Sequence, residues 1–455
     1  MKRTWAMVCA IPLALGVLTP AEAFAADTTP PSTPTGVQVT KVSANSVALS
    51  WTASTDDVAV QRYNVYTGTT LVGWFTGTSG SIDGLAPKTA QTFTVRAMDA
   101  AKNLSPDSAP VTATTRRGHD SVGQVTTIAP ETDVPWGLAF LPDGSALYGD
   151  RDAQTVNRLS RDGKAKTLAG KVPGVVGTNG EGGLLGLELS PHFRWDHWVY
   201  LYHTSETDNR IVRIKYEHGA LDLASEQVLL SGIVKNKFHN GGRLRFGPDD
   251  KLYASVGDGQ TSANAQDVNS LNGKILRLNP DGSPAADNPF YANGGNARYV
   301  WSMGHRNLEG LAFDSHGRLW ESEFGNSILD ELNLIEKGGN YGWPACEGTV
   351  GDCANPAFKA PVRTWKVADA SPSGIAIVHD TIYMSALRGE ALWVMKIDGD
   401  TTSTPVAYFH GKFGRVRTVE PSPDCGLWIT TSNGGDKNNI PDDTNAQFLH
   451  VSLGH

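Results

Sequence analysis

Apolar and polar positions alternate along this chain in short runs, and the runs come in pairs. "WGLAFLPDGSALYGD" starts at 136, "LGLELSPHFRWDHWVYLYH" at 185 and "GRLRFGPDDKLYASVGD" at 242. The pattern returns as "EGLAFDSHGRLWESEFG" at 309, "SGIAIVHDTIYMSALRG" at 373 and "RTVEPSPDCGLWITTSN" at 417. Each copy is an apolar strand, a turn rich in Pro, Asp or Gly, and a second apolar strand. The six copies lie roughly 45–65 residues apart, with long insertions between them. One such hairpin cannot bury both of its faces, whereas six arranged radially can. Residues 124–455 therefore predict a six-bladed β-propeller, a fold that gathers loops from all blades at one end of a central channel.

A second all-β pattern precedes it. Residues 30–117 carry more closely spaced strands, among them "TGVQVTKV", "SVALSWTA", "RYNVYTG" and "TFTVRAMD". These predict a β-sandwich with Trp51 and Tyr63 in its core. Pro/Thr-rich "ADTTPPSTPTG" leads into it, and polar "TTRRGHDSVGQ" separates it from the propeller. "PSTPTGVQVTKVSANSVALSWTAS" and "GLAPKTAQTFTVRAMDAAKNLS" resemble a bacterial fibronectin type III domain. That resemblance implies an immunoglobulin-like sandwich acting as a spacer. Gln91 stands where many such domains have a tyrosine, and Trp74 is expected at a buried or edge position.

At 455 residues the chain exceeds one ordinary core, in keeping with two domains. Lys2 and Arg3, an apolar stretch from Trp5 to Leu18 and the small residues of "AEAFAAD" predict a secretory signal over residues 1–25, hence an extracellular protein. That stretch is shorter than the ~20 residues a spanning helix needs, and no other segment is apolar enough to span. Removing the signal takes away two positive charges and one negative, moving the net charge from −8 to −9. Such an acidic protein is a poor partner for nucleic acid or anionic membrane. Export permits disulfides, and Cys346 and Cys353 bracket the turn-rich "EGTVGD", so that pair is expected to bond and leave Cys425 free.

Basic clusters inside an acidic chain carry information. Glu181 precedes the second hairpin; His239 precedes the third and Asp258 follows it. Arg306 and Asn307 open the fourth, Arg388 follows the fifth, and Arg415 and Arg417 lead into the sixth. In a propeller, residues flanking equivalent hairpins meet around one channel. Arg415 and Arg417 share a face at strand spacing, and arginine forks match carboxylates. Four guanidiniums and an imidazole therefore predict a site for a planar polyanion.

"NGEGGLLGL", "HNGGRLRFGPDDKLYASVGDG", "NGKILRLNPDG", "GHRNLEGLAF" and "GGNYGWP" occur in this order. Together they resemble the soluble quinoprotein glucose/sorbosone dehydrogenases, or aldose sugar dehydrogenases, over roughly residues 124–455. The resemblance implies a six-bladed propeller that binds pyrroloquinoline quinone (PQQ) and calcium and oxidises aldose C1 hydroxyls to lactones. It implies that His239 is the base that takes the hydroxyl proton, a task suited to imidazole, and that Asp258 is an acidic site residue. It places Arg306, Asn307, Arg415 and Arg417 at quinone-binding positions. Arg388 falls where better-known members have lysine, Glu181 where the glucose dehydrogenase branch has glutamine, and Phe238 where that branch has aspartate. Backbone carbonyls of Gly325 and Asn326 match the cofactor calcium, and Glu331 and Tyr341 match a second, structural calcium. His305 is expected as a structural neighbour of Arg306, with His192 and His197 on the surface. Gly241 and Gly242 are expected to let the backbone pass close to a flat cofactor.

The chain contains no CxxCH haem motif, so electrons are expected to leave to a separate acceptor. Two other functions fit a six-bladed propeller: a calcium-dependent hydrolase such as a lactonase, and a sugar-binding propeller without catalysis.

Overall fold

A computed structural model describes residues 27–454, apart from 43–45, 83–84, 86–88 and 116–120. The secretory signal expected over 1–25 lies outside the described residues. The chain divides into two compact units. Among the described residues no helix is long and apolar enough to cross a membrane.

The first unit is a sandwich. Strands Thr35–Val42, Val47–Thr52 and Ser79–Ile82 form one sheet, and Thr70–Phe75, Val60–Thr67, Ala90–Asp99 and Val111–Thr114 form the other. Alternation sets the core: Val47, Leu49 and Trp51 point inward from one strand and Phe93, Val95 and Ala97 from another. Trp51 and Tyr63 are both buried, with ring centroids 5.4 Å apart. Trp74 sits on the edge strand Thr70–Phe75, exposed beneath the Arg62 guanidinium.

The second unit is a ring of six sheets. Each predicted hairpin supplies the first two strands of a blade, for example Pro135–Phe140 with Ala146–Asp150 in blade one and Leu244–Phe246 with Leu252–Val256 in blade three. First strands of successive blades pack side by side, forming the inner ring. The middle strands are buried along their whole length, as Leu252–Val256 and Lys274–Leu278 show. Their side chains fill the seams between blades. Trp136, Tyr200, Leu244 and Leu276 share one such core, and Trp320, Ile375 and Met384 another.

Blade six is built from Val416–Pro421, Leu427–Thr431, Ala446–Gly454 and, as its outer strand, Ser121–Glu131. The register pairs Ala446 with Glu131 and His450 with Thr126, so the two ends of the unit close the ring. Buried Arg243 and half-buried Arg245 of blade three tie the inner strands together. Arg243 donates to the Glu309 carbonyl at 2.9 Å and to Thr418 Oγ1 at 3.2 Å, and lies 4.2 Å over the Trp136 ring. Arg245 bridges Glu188 at 3.1 Å and Glu420 at 2.5 Å. Cys346 and Cys353 are bonded, and Cys425 is free and exposed.

Candidate active site

In an antiparallel hairpin, the residue before the first strand and the residue after the second lie at the same end. Blades three to six repeat this arrangement, and their hairpin ends meet around a cavity of about 260 Å³. Its wall includes Glu181, Phe238, His239, Arg306, Asn307, Gly325, Asn326, Arg388, Arg415 and Arg417. One cavity thus gathers most of the residues singled out from the sequence.

His239 lies between the outer strand of blade two, which ends at Ile233, and Leu244. Its φ is +60°, a left-handed conformation that costs a non-glycine residue about 1 kcal/mol or more. Its backbone is held on both sides. The amide donates to Glu181 Oε2 at 3.0 Å, and the carbonyl accepts from Gly259 at 3.1 Å. Its Nδ1 lies 2.8 Å from Asp258 Oδ1. Asp258 is buried and also accepts from the Gln260 amide at 2.8 Å and from Trp343 Nε1 at 2.9 Å. It does not line the cavity. Asp258 thus holds the Nδ1 edge of the His239 ring and leaves Nε2 as the ring nitrogen without a partner among the described residues.

The glycines after His239 are packed closely against the protein itself. A Cβ on Gly241 would lie 2.6 Å from the Gly257 nitrogen, and one on Gly242 would lie 2.9 Å from Leu185 Cβ. Their φ values are +65° and +117°, and neither lines the cavity. They leave room for close contacts within the protein, Gly241 against backbone and Gly242 against the Leu185 side chain.

The arginines also differ from a bare cationic cluster. Arg415 donates from Nε and Nη2 to Asp436 Oδ2 at 2.9 and 2.6 Å. Arg417 donates to Asp436 Oδ1 at 2.6 Å and to Glu309 Oε2 at 3.3 Å. Burial alone would raise the Asp436 carboxyl; the charges of Arg417, Arg415 and Arg151 outweigh it and hold the group far below the usual carboxylate range. The cavity wall thus sets five cations, Lys437 included, against the carboxylates of Glu181, Glu309 and Asp436. Its field is positive but weaker than the arginines alone suggest.

Two guanidiniums keep capacity for a ligand. Arg388 is exposed and has no ion pair among the described residues. Arg306 donates from Nη1 to the Phe324 carbonyl at 3.2 Å and lies 5.5 Å over the Trp343 ring, but its buried Nε has no partner. Asn307 accepts from the Gly241 amide through Oδ1 at 3.1 Å, which leaves its amide nitrogen for the cavity. These free donors suit an anionic, planar group.

The loop after Phe324 suits a hard cation. Glu347 Oε1 collects the backbone N–H groups of Asn326, Ser327, Ile328 and Leu329 at 2.8, 3.0, 2.8 and 3.2 Å. Among the described residues no donor reaches the carbonyls of Gly325 or Asn326. Oxygen ligands of this kind bind calcium.

Glu331 lies in a separate, buried cluster. Register places Glu323 opposite Glu331 and Glu321 opposite Asn333 on adjacent strands, and His305 closes the group. Glu321 Oε1, Asn333 Oδ1 and His305 Nδ1 have no hydrogen-bond partner. Burial, then the Glu323 charge, pushes Glu331 up to about 8, and burial brings His305 down to about 3. Three carboxylates this close require protons or a cation. Tyr341 stacks on His305 at 4.7 Å, while its hydroxyl donates to the Leu334 carbonyl and accepts from Glu336. Any part Tyr341 plays in a metal site falls to its backbone. His192 and His197 lie on the surface, with exposed rings.

Residues 132–439 match the family model described as glucose/sorbosone dehydrogenase. The chain belongs to that family. Residues 32–114 match the fibronectin type III model. A solved structure of a PQQ-bound aldose sugar dehydrogenase from Streptomyces coelicolor superposes with a TM-score of 0.67 at 44% identity, covering 73% of this chain and 98% of that one. Aldose sugar dehydrogenase YliI of Escherichia coli is 29% identical over 70% of this chain and 90% of its own. Quinoprotein glucose dehydrogenase B of Acinetobacter calcoaceticus is 34% identical over 48% of this chain and 52% of its own. Glu309, Asp436 and Trp343 join the site as residues the sequence reasoning left out. Trp343 lay inside a quoted motif; Asp436 lay in a polar run without strand character.

Proposed function

We propose that this protein is a PQQ- and calcium-dependent dehydrogenase that oxidises the C1 hydroxyl of aldose sugars to lactones. The observation that carries this is the meeting, in one cavity, of an imidazole backed by a buried carboxylate with guanidiniums that have free donors. PQQ, when bound, supplies the two-electron acceptor that takes the C1 hydride. Arg306, Asn307, Arg388, Arg415 and Arg417 would hold its carboxylates, and Glu181 would border it. The carbonyls of Gly325 and Asn326 would hold calcium there, and Glu331, with Glu321 and Glu323, a second ion. His239 takes the C1 hydroxyl proton at Nε2, and Asp258 stabilises the imidazolium that forms. The Cys346–Cys353 bond supports an extracellular location. The sandwich would act as a spacer, and the electrons would pass to a separate acceptor.

The test is dye reduction by purified protein loaded with PQQ and calcium. Aldose-dependent reduction is expected, and no reduction with any common aldose would refute the proposal. His239→Ala should keep PQQ binding and lose at least about 100-fold in kcat, the range of general-base catalysis.

A further inference from the structure

We propose that the sugar favoured by this site carries a carboxylate: a hexuronic acid rather than a neutral aldose. This rests on the dehydrogenase function proposed above and names its substrate class.

Lys237, Phe238 and His239 are consecutive. Phe238 is half-buried and lines the cavity beside the base. Two ammonium groups lean on its ring: Lys237 Nζ lies 5.3 Å from the centroid and Lys437 Nζ 5.9 Å, from segments far apart in sequence. Lys437 lines the same cavity. Both lysines are exposed, and neither pairs with a carboxylate among the described residues. This separates them from Arg415 and Arg417, whose charge Asp436 already meets. In a chain of net charge −8, two unpaired cations converging on one aromatic ring form a local anion site. The ring adds a flat apolar surface for a pyranose face, and cation–π attraction keeps the ammonium groups near it.

A hexuronic acid fits this arrangement. Its reacting C1 and its C6 carboxylate lie on either side of the ring oxygen. With C1 at His239 and the pyranose on Phe238, the carboxylate comes within reach of the lysines. The carboxylate is a spectator. The bonds broken and formed at C1, the electrons released and the proton passed to His239 are those of any aldose oxidation.

The experiment compares kcat/KM of the PQQ- and calcium-loaded protein on glucuronic and galacturonic acids, glucose and galactose, and glucose 6-phosphate. At low salt the uronic acids should lead their neutral counterparts by about fivefold, in line with one or two exposed ion pairs, and the lead should shrink as salt rises. Lys437→Glu should reverse the ratio of acid to neutral sugar. Methyl glucuronide, which has no free C1 hydroxyl, should inhibit competitively and lose affinity in that variant. Neutral sugars turned over without preference for the acid would overturn this proposal and leave the dehydrogenase intact. A lead for the phosphate over the uronic acids would overturn the choice of carboxylate. Failure with every sugar would overturn the dehydrogenase itself.

Discussion

Replacing Asp258 by Asn tests the proton chemistry with almost no change of shape. The carboxylate meets three groups: His239 Nδ1 at 2.8 Å, the Gln260 amide at 2.8 Å and Trp343 Nε1 at 2.9 Å. Two of these are fixed donors, one on each oxygen. An amide placed there must turn its NH₂ toward one of them. Facing Trp343, it keeps the histidine's orientation and leaves a clash of donors. Facing Gln260, it creates the same clash and also changes the tautomer of His239. The first arrangement is favoured, so the main loss is charge. Once His239 holds the proton, it is a cation beside a buried anion, with charge centres about 4 Å apart. That attraction is worth ~4 kcal/mol at an effective dielectric of 20 and ~1 in water. The His239 side chain is 18% exposed, which puts the loss between these limits, at about 2–3 kcal/mol. The expected fall in kcat is about 30- to 150-fold. Stopped-flow dye reduction at saturating aldose measures it, and PQQ titration checks that the site is still formed. A kcat within threefold of wild type, with PQQ affinity unchanged, would show that Asp258 has no such role.

Asp436→Asn should cost about 3 kcal/mol in urea unfolding, because it leaves the buried Arg417 and the half-buried Arg415 without their carboxylate. The folded Asp436 value is depressed, so its contribution is present above pH ~4 and is lost as pH falls further; the gap between variant and wild type should therefore narrow in acid. Glu331 is raised to about 8, the opposite sign, so metal-free protein should lose stability as pH rises from about 5 to 8. Calcium should remove that slope and release protons at pH 7, seen by calorimetry in buffers of different ionisation enthalpy; calcium uptake without proton release would count against the Glu331 cluster as its site. Reducing the Cys346–Cys353 bond should cost about 2 kcal/mol for so short a loop. It should also weaken calcium binding through Glu347, which follows Cys346 and gathers the Asn326 loop, and calcium titration with and without reductant measures this.

Much of this was legible in the sequence because hairpins repeat. Once six were visible, the residues at their ends had to meet, and His239, Arg306, Arg388, Arg415 and Arg417 do so. What stayed hidden depends on contacts distant in sequence. Asp436 sits in "SNGGDKNN", which resembles any solvated turn, and only the fold brings its carboxylate beneath Arg415 and Arg417. Glu321 and Glu323 stand at period-two spacing, yet only the register with Glu331 shows that three acids share one buried place. Gly241 and Gly242 were visible as glycines, but nothing local shows that they pack against the Gly257 backbone and the Leu185 side chain. The strand Ser121–Glu131 has no adjacent hairpin mate, so periodicity alone does not assign it to blade six.

That closing strand also bears on the site. The cavity draws its walls from blades two to six, and blade six is complete only when Ser121–Glu131 meets Ala446–Gly454. A chain clipped near residue 446 keeps every side chain of the cavity wall, up to Lys437, yet lacks the strand that pairs with Ser121–Glu131. The segment that holds Arg415, Arg417 and Asp436 is thus anchored by a strand more than 280 residues earlier in the chain.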